Sequence, residues 1–206
     1  MNINPNATVI LCFGDSNTRG TTPTENRYPA NVRWTGLLQE KLGGGYYVIE
    51  EGLGGRTTVN GKTYLLPCLK THNPIDLVIL MLGTNDLQER FHQSPEEIST
   101  NLETLVKMII EIGFDKNNKP PKIILLSPPL VAEEKSRQLA KLYQAIAQKY
   151  GCEFIDIAKV VQPSKIDGLH LEPEAHSRIA GVLFEKINNH KFSLKKSTII
   201  ATTIPL

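Results

Sequence analysis

The sequence has few cysteines and no long apolar run, and these two shortages exclude several classes of protein. Cys12, Cys68 and Cys152 are the three cysteines among 206 residues. They are far apart and odd in number, without a C-x-x-C pair, so neither a disulfide framework nor a zinc site is expected. No apolar stretch approaches the roughly 20 residues that a membrane-spanning helix requires. We therefore expect no cysteine-based zinc site and no stable insertion into a membrane.

Charge of one sign is not in excess either. The 23 Lys and Arg residues and the 21 Asp and Glu residues leave a net charge of +2, and they are scattered along the chain. A balance of this kind argues against nucleic acid as a partner. The opening "MNINPNATVILCF" has no basic n-region, so we do not expect a signal peptide and predict a cytoplasmic protein.

Short apolar runs alternate along the chain with longer segments of helical periodicity. The runs typical of strands cover residues 8–13, 46–50, 75–82, 122–127 and 152–157. Three of these runs are almost continuously apolar, which favours strands that are covered on both faces, as in a parallel sheet. The helical segments cover residues 32–42, 94–113, 133–151 and 172–188. This alternation predicts a three-layer α/β/α sandwich, in which ligands bind outside the carboxyl ends of the strands.

The length of the chain predicts one domain with a short extension, because a domain typically holds roughly 100–200 residues. We assign residues 1–190 to the domain and residues 191–206 to a C-terminal tail. The tail is rich in β-branched residues, and both an extended tail and an added edge strand are compatible with it.

Glycines and small polar residues follow four of the predicted strands. The four blocks are Gly14-Asp15-Ser16-Asn17, Gly52-Leu53-Gly54-Gly55-Arg56, Gly83-Thr84-Asn85-Asp86 and Asp167-Gly168-Leu169-His170. The carboxyl ends of parallel strands share one edge of the sheet, so the fold can bring these blocks together.

The residue types in these blocks match nucleophilic catalysis by a serine. A serine hydroxyl is a weak nucleophile until a base takes its proton, and a histidine serves as that base near neutral pH. Asp167 lies three positions before His170, where it can orient the imidazole and stabilise the imidazolium. The backbone N–H of Ser16, a backbone N–H near Gly55 and the amide of Asn85 are candidate donors to an oxyanion.

In this order, the blocks "GDS", "G", "GTND" and "DGLH" resemble the SGNH hydrolase family, also called GDSL-type esterases and lipases. The resemblance spans residues 14–170. The stretches "CFGDSNTRG", "VIEEGLGGRTT" and "LVILMLGTND" are similar to the arylesterase and acyltransferase branch of that family. The resemblance implies a flavodoxin-like fold with a five-stranded parallel sheet in the order 2-1-3-4-5, and it implies no metal and no organic cofactor.

The resemblance also implies a role for each candidate residue. Ser16 would be the nucleophile, His170 the base and Asp167 the partner of that base. The oxyanion hole would consist of the Ser16 N–H, the Gly55 N–H and the Asn85 side chain.

Two nearby glycines compete with Gly55 for the second oxyanion role. Gly52 and Gly54 lie in the same block, but Gly55 directly precedes "RTT", as the oxyanion residue of the family precedes its "x-T-T". Asn17 stands where many members carry leucine, a variation that we expect to change little.

Other polar residues near the blocks have simpler explanations. We expect Asp15 and Asp86 to make structural hydrogen bonds within their loops, as Asp commonly does. Arg56 is more easily explained as structural than as a substrate contact, and Trp34 as helix packing. His176, in the last helical segment, is expected on a solvated face.

The sequence therefore predicts a serine esterase that hydrolyses carboxylic esters through an acyl-serine intermediate. Short-chain or aryl esters are the expected small-molecule substrates, with lipid esters as a further option, and a homo-oligomer is compatible with the sequence. One alternative is an acyltransferase that uses the same residues to transesterify alcohols. A more remote one is a non-catalytic flavodoxin-like module, which would bind a flavin phosphate at "GDSNTRGTT" and would leave Asn85, Asp167 and His170 unexplained.

Overall fold

The computed structural model describes residues 4–189, which form a five-stranded parallel sheet between two layers of helices. The strands are β1 (Thr8–Gly14), β2 (Tyr46–Gly52), β3 (Leu77–Met81), β4 (Lys122–Leu126) and β5 (Glu153–Ile155). Their order is β2-β1-β3-β4-β5, and every neighbouring pair is parallel. The predicted three-layer α/β/α sandwich and its strand order are confirmed. The predicted tail, 191–206, lies outside the described residues, so the division at residue 190 stays a prediction.

Six α-helices are found within the described residues 4–189. They are α1 (Ser16–Arg19), α2 (Trp34–Leu42), α3 (Thr58–His72), α4 (Pro95–Ile112), α5 (Glu133–Tyr150) and α6 (Pro173–Asn189). Helices α3, α4 and α5 cover one face of the sheet, and α2 and α6 cover the other. Four of them correspond to the predicted helical segments, whereas α1 and α3 were not predicted.

The double cover explains the almost continuous apolar runs. Along β1, Leu11 and Phe13 pack against α3, α4 and α5, while Ile10 and Cys12 pack against α2 and α6. All four side chains are fully buried. Because successive residues of a strand point to opposite faces, a strand covered on both sides needs apolar residues at every position.

The end of β1 requires a glycine because other atoms approach it closely. A Cβ atom at Gly14 would lie 2.0 Å from the Oγ1 of Thr18 and 2.7 Å from the carbonyl oxygen of Met81. These distances are too short for any side chain. Gly14 therefore lets the chain pass from the central strand directly into α1, and this places Ser16 at the carboxyl edge of the sheet.

None of the helices within residues 4–189 is both long enough and apolar enough to cross a membrane.

Candidate active site

Ser16 is the first residue of α1 and is 4% exposed. Asp15 caps this helix, since its Oδ1 accepts the N–H of Asn17 at 2.9 Å. The N–H of the first residue of a helix has no intrahelical partner, so the Ser16 N–H is left for another acceptor. Burial raises the pKa of the Asp15 carboxyl to about 6, although the Asn17 N–H partly opposes that shift.

Asp167 and His170 lie in one turn, between β5 and α6, that fixes both side chains. The Oδ1 of Asp167 accepts the N–H of Leu169 at 2.9 Å and the N–H of His170 at 3.0 Å. Its Oδ2 lies 2.6 Å from the Nδ1 of His170. Partial burial works against ionisation of Asp167, but these hydrogen bonds outweigh it and hold the pKa of the carboxyl below its usual range. The carboxylate is thus ionised near neutral pH and aimed at the imidazole.

This turn contacts α1, and the two contacting residues are 154 positions apart in the sequence. The Nε2 of His170 lies 3.1 Å from the Oγ of Ser16. Beside this contact, the side-chain amide of Asn17 donates to the carbonyl oxygen of Leu169 at 3.3 Å. The structure therefore joins Asp167, His170 and Ser16 in one chain of hydrogen bonds. It also gives Asn17, which we expected to matter little, a direct link between the two segments.

A tight turn after β2 carries the candidate Gly55. The N–H of Arg56 donates to the carbonyl oxygen of Leu53 at 3.2 Å, and Leu53 in turn donates to the carbonyl oxygen of Gly14 at 3.2 Å. Gly55 has a φ of 73°, which favours glycine at the third position of such a turn. Gly52 and Gly54 do not have a positive φ, and at Gly52 a Cβ atom would instead lie 2.1 Å from the backbone nitrogen of Arg19. No atom outside the turn lies within 4 Å of a Cβ placed at Gly54 or Gly55, so the turn borders open space.

The side chain of Arg56 links this turn to the ends of β1 and β2. Its side chain is 3% exposed, and its Nη1 donates to the carbonyl oxygens of Gly14, at 2.7 Å, and of Glu51. The guanidinium lies 4.0 Å from the centre of the Phe13 ring. All these contacts are internal, in agreement with the structural interpretation of Arg56.

Asn85 follows β3 and reaches the same turn. Its Nδ2 donates to the carbonyl oxygen of Arg56 at 2.9 Å, and its Oδ1 accepts a hydrogen bond from Gln88 at 3.0 Å. Both ends of the amide are thus held. The carboxylate of Asp86 accepts the N–H and the hydroxyl hydrogen of Thr58, which ties the first turn of α3 to the loop after β3. Asp86 therefore makes the structural hydrogen bonds that we expected.

The prediction for His176 is wrong, because this side chain is fully buried. It lies between α6 and α2, where its Nδ1 accepts the backbone N–H of Trp34 at 3.3 Å. Burial lowers the pKa of His176 to about 4, with a smaller contribution from Arg33. Trp34 is itself fully buried, in agreement with a packing role.

The residues that orient the site were not found by sequence reasoning. Gln88 holds the amide of Asn85, and Ser164 donates its N–H to the carbonyl oxygen of His170 at 2.7 Å. Neither residue belongs to one of the four blocks, and both act through loop geometry that leaves no periodic signal. Within residues 4–189, no group of three or more His, Cys, Asp or Glu side chains is arranged to hold a metal ion.

Comparison with known families assigns the chain. Residues 12–178 match the model of the GDSL-like lipase/acylhydrolase family. The chain belongs to this family. The predicted family and the predicted hydrolase class are confirmed.

Two solved structures of esterases are similar over nearly the whole GDSL-type domain. The native aryl esterase of M. smegmatis is 35% identical, with a TM-score of 0.83 over 89% of this chain and 99% of that one. A carbohydrate acetylesterase from Sinorhizobium meliloti is 36% identical, with a TM-score of 0.82 over 89% and 99% of the two chains.

Two curated relatives are longer proteins. An acetylxylan esterase of Xylanibacter ruminicola is 25% identical over 84% of this chain and 42% of its own length. The uncharacterised lipoprotein YqeF of Bacillus subtilis is 34% identical over 37% of this chain and 31% of its own length. The chain thus spans less than half of either protein. Because one relative is called a lipoprotein, the cytoplasmic location stays a prediction.

Proposed function

We propose that this protein is a serine esterase that hydrolyses small carboxylic esters through an acyl-Ser16 intermediate. The observation that carries the proposal is the chain of contacts from Asp167 to His170, at 2.6 Å, and from His170 to Ser16, at 3.1 Å. Membership of the GDSL-like family and the similarity to aryl and carbohydrate esterases support it.

The geometry fits a two-step route. The Nε2 of His170 takes the proton of Ser16 as the Oγ attacks the ester carbonyl carbon, and the same proton then goes to the leaving alkoxide. His170 next takes a proton from water as the water oxygen attacks the acyl-serine, and it then gives this proton to the Oγ of Ser16, which leaves as the carboxylic acid is released. The ionised Asp167 holds the Nδ1–H of His170 throughout and stabilises the imidazolium.

Three donors would hold the oxyanion of each tetrahedral intermediate. They are the Ser16 N–H at the start of α1, the Gly55 N–H and the Nδ2 of Asn85. Fixed donors of this kind are effective because they need no reorganisation as charge develops. The hydrogen bonds of Asn85 to Gln88 and to the Arg56 carbonyl support its part in the proposal.

The first test replaces the nucleophile. Ser16→Ala should lose nearly all turnover of a short-chain aryl ester, since no other group forms the acyl intermediate, while circular dichroism and the melting temperature stay near those of the parent. A fluorophosphonate should label the parent and leave the variant unlabelled. Ser99→Ala, a buried serine on α4, is the control and should keep both turnover and labelling. Parent-like turnover in Ser16→Ala would contradict the assignment.

The second test removes one oxyanion donor. Asn85→Ala should lower kcat by roughly 10²–10³-fold with a smaller change in KM. Gln88→Ala removes the hydrogen bond to the Asn85 Oδ1 but keeps that of its Nδ2 to the Arg56 carbonyl, so its kcat should fall less. An unchanged kcat in Asn85→Ala would remove this residue from the mechanism.

The names of the relatives direct the choice of substrates. Aryl acetates, acetylated sugars and a series of longer acyl esters should be compared, and we expect the acetyl esters to react fastest. An alcohol in place of water would give acyl transfer by the same route. Product analysis with and without added alcohol therefore measures the ratio of transfer to hydrolysis, and transfer products in water would favour the acyltransferase alternative.

A further inference from the structure

The buried residue Ser164 makes hydrogen bonds that stabilise the turn carrying Asp167 and His170. It is 3% exposed and lies in the same loop between β5 and α6. Its N–H donates to the carbonyl oxygen of His170 at 2.7 Å, and its carbonyl oxygen accepts the N–H of Gly168 at 2.8 Å. Its Oγ also accepts the N–H of Ile166 at 3.1 Å. Both the backbone and the side chain of one residue thus hold this turn.

Glu172 fixes the hydroxyl of Ser164. The Oε1 of Glu172 accepts the hydrogen of the Ser164 hydroxyl at 2.5 Å. A hydroxyl has one hydrogen, so this donation leaves its lone pairs for the N–H of Ile166. Hydrogen bonds to a carboxylate are roughly twice as strong as neutral ones. Glu172 is itself held at the start of α6, where its carbonyl oxygen accepts the N–H of His176 at 3.2 Å.

Tyr28 extends this chain of contacts to the nucleophile helix. Its hydroxyl donates to the Oε2 of Glu172 at 3.4 Å, and its N–H donates to the carbonyl oxygen of Gly20 at 2.8 Å. Gly20 is the C-cap of α1, the helix that begins at Ser16. Partial burial and the adjacent Glu172 both raise the pKa of Tyr28, so its hydroxyl keeps its proton near neutral pH.

The hydrogen bond between Asp167 and His170 cannot fix the position of their turn relative to Ser16, because both residues lie within that turn. It orients the imidazole relative to Asp167 but does not place the turn relative to Ser16. We propose that Ser164 and Glu172 are positioning residues, which with Tyr28 set the distance between the His170 imidazole and the Ser16 hydroxyl. The inference rests on the proposed function, in which that distance governs proton transfer. A misplacement of about 1 Å can cost about 10²-fold in rate.

The experiment compares two buried serines. Ser164→Ala should lower kcat on an aryl acetate by roughly 10–100-fold, with KM within about twofold of the parent. Ser136→Ala is the matched control: Ser136 is 1% exposed and its Oγ accepts the N–H of Ala132 at 3.2 Å, at the start of α5. A purely structural role would lower the melting temperature of both variants and the kcat of neither.

Conservative and non-conservative substitutions of Glu172 provide a further test of the positioning role. Glu172→Gln keeps an acceptor for the Ser164 hydroxyl, so it should retain most of the parent kcat, whereas Glu172→Ala should match Ser164→Ala. Glu174→Gln, on an exposed side chain paired with Arg178, should behave like the parent. Equal kcat values in the parent, Ser164→Ala and Glu172→Ala would overturn the inference.

A second measurement needs no substrate. The low-field proton resonance of the hydrogen bond between Asp167 and His170 should shift or broaden in Ser164→Ala and stay unchanged in Ser136→Ala. If the parent cleaves no ester while this shift is seen, the proposed function fails and the positioning role stands. If the parent is active and Ser164→Ala changes neither kcat nor the resonance, the positioning role fails and the proposed function stands.

Discussion

The segment that carries Ser16 and the segment that carries His170 are held in place in different ways. Residues 15–18 are at most 4% exposed and continue directly from the central strand β1. Residues 165–168 are exposed and are fastened by local hydrogen bonds to Ser164 and Asp167. The position of Ser16 is therefore determined by the core, whereas the position of His170 depends on hydrogen bonds made by an exposed loop. Changes that displace the backbone of the first segment should lower stability together with activity, whereas changes in the second should lower activity with little effect on stability.

The two segments also shift the pKa of an aspartate in opposite directions. Burial dominates at Asp15 and raises the pKa of its carboxyl to about 6. At Asp167 burial is partial, and three hydrogen bonds to the carboxylate hold its pKa below the usual range. Asp167 in the exposed loop thus stays ionised to a lower pH than Asp15, and a carboxylate that stabilises an imidazolium must be ionised.

The largest expected separation of activity from stability within the second segment is at Asp167. Asp167→Asn should lower kcat by roughly 10³–10⁴-fold, because the imidazole loses the carboxylate that fixes its tautomer. The melting temperature should change little, because the asparagine oxygen can still accept the N–H groups of Leu169 and His170.

Asp115 is the matched control for that variant. Its Oδ1 accepts the N–H groups of Asn117 and Lys119, at 2.7 and 2.9 Å, in a similar turn elsewhere. Asp115→Asn should therefore keep the parent kcat. If Asp167→Asn also keeps the parent kcat, Asp167 only stabilises its turn and does not take part in catalysis.

A second prediction concerns the pH dependence of stability. The pKa of Asp15 is raised from 3.8 to about 6 on folding, so its contribution to stability is present below pH 3.8 and is lost as the pH rises through about 6. The pKa of His176 is lowered from 6.5 to about 4, so its contribution is present above pH 6.5 and is lost as the pH falls through about 4. Shifts of this size correspond to about 3 kcal/mol each, and they act in opposite directions.

Variants of Asp15 and His176 separate their opposite effects on the pH dependence of the free energy of unfolding. Asparagine is a good helix cap, so Asp15→Asn removes the titration and keeps the cap; its free energy of unfolding should rise more steeply with pH than that of the parent. His176→Gln should give a flatter rise than the parent. Urea unfolding at several pH values between about 4 and 6.5 measures both differences. Parallel curves for all three proteins would show that neither group titrates differently on folding.

The smallest expected effect is on stability in the buried segment. Gly14→Ala forces a methyl group against Thr18 and the Met81 carbonyl, and this should lower the free energy of unfolding by about 1–3 kcal/mol. The kcat should fall with it, since Ser16 must move. Gly181→Ala, in α6 with no atom within 4 Å of the added methyl group, should instead stabilise the protein by about 0.5–1 kcal/mol. Equal stability of Gly14→Ala and the parent would refute the close packing at the end of β1.

The sheet was the part of the fold most open to prediction. The inner strands β1, β3 and β4 are short apolar runs, because both faces of the sheet are covered, whereas the edge strands β2 and β5 carry glutamates and are only partly buried. The strand order, by contrast, followed from the resemblance to a family, since no pattern within a strand records its neighbours. The same holds for the contact between Ser16 and His170, which joins residues far apart in the sequence.

Helix α3 was missed for a physical reason. Its buried stripe contains Thr58, Gly61, Leu65 and Leu69, so half of the stripe is not apolar, and Pro67 interrupts the pattern. The capping box of Thr57 and Asn60 and packing against α4 maintain this helix in spite of its composition.

His176 shows the opposite case, in which the signal was present and misinterpreted. It is spaced three, four and seven positions before Ile179, Ala180 and Leu183, all of which are buried. Helical periodicity therefore placed His176 on the inner face of α6. Ser164 and Glu172 left no comparable signal, since their contact depends on the conformation of a loop.

The turn after β2 gives a protein engineer two neighbouring positions with opposite tolerance. Residue 55 must stay glycine because its backbone is left-handed, whereas residue 54 has an ordinary backbone and open space in the direction of a side chain. Side chains of graded size at position 54 would extend over the rim beside Gly55 without straining the turn. Under the proposed function, such variants would test how much bulk in an ester the site accepts, without a change at Ser16, Gly55 or Asn85.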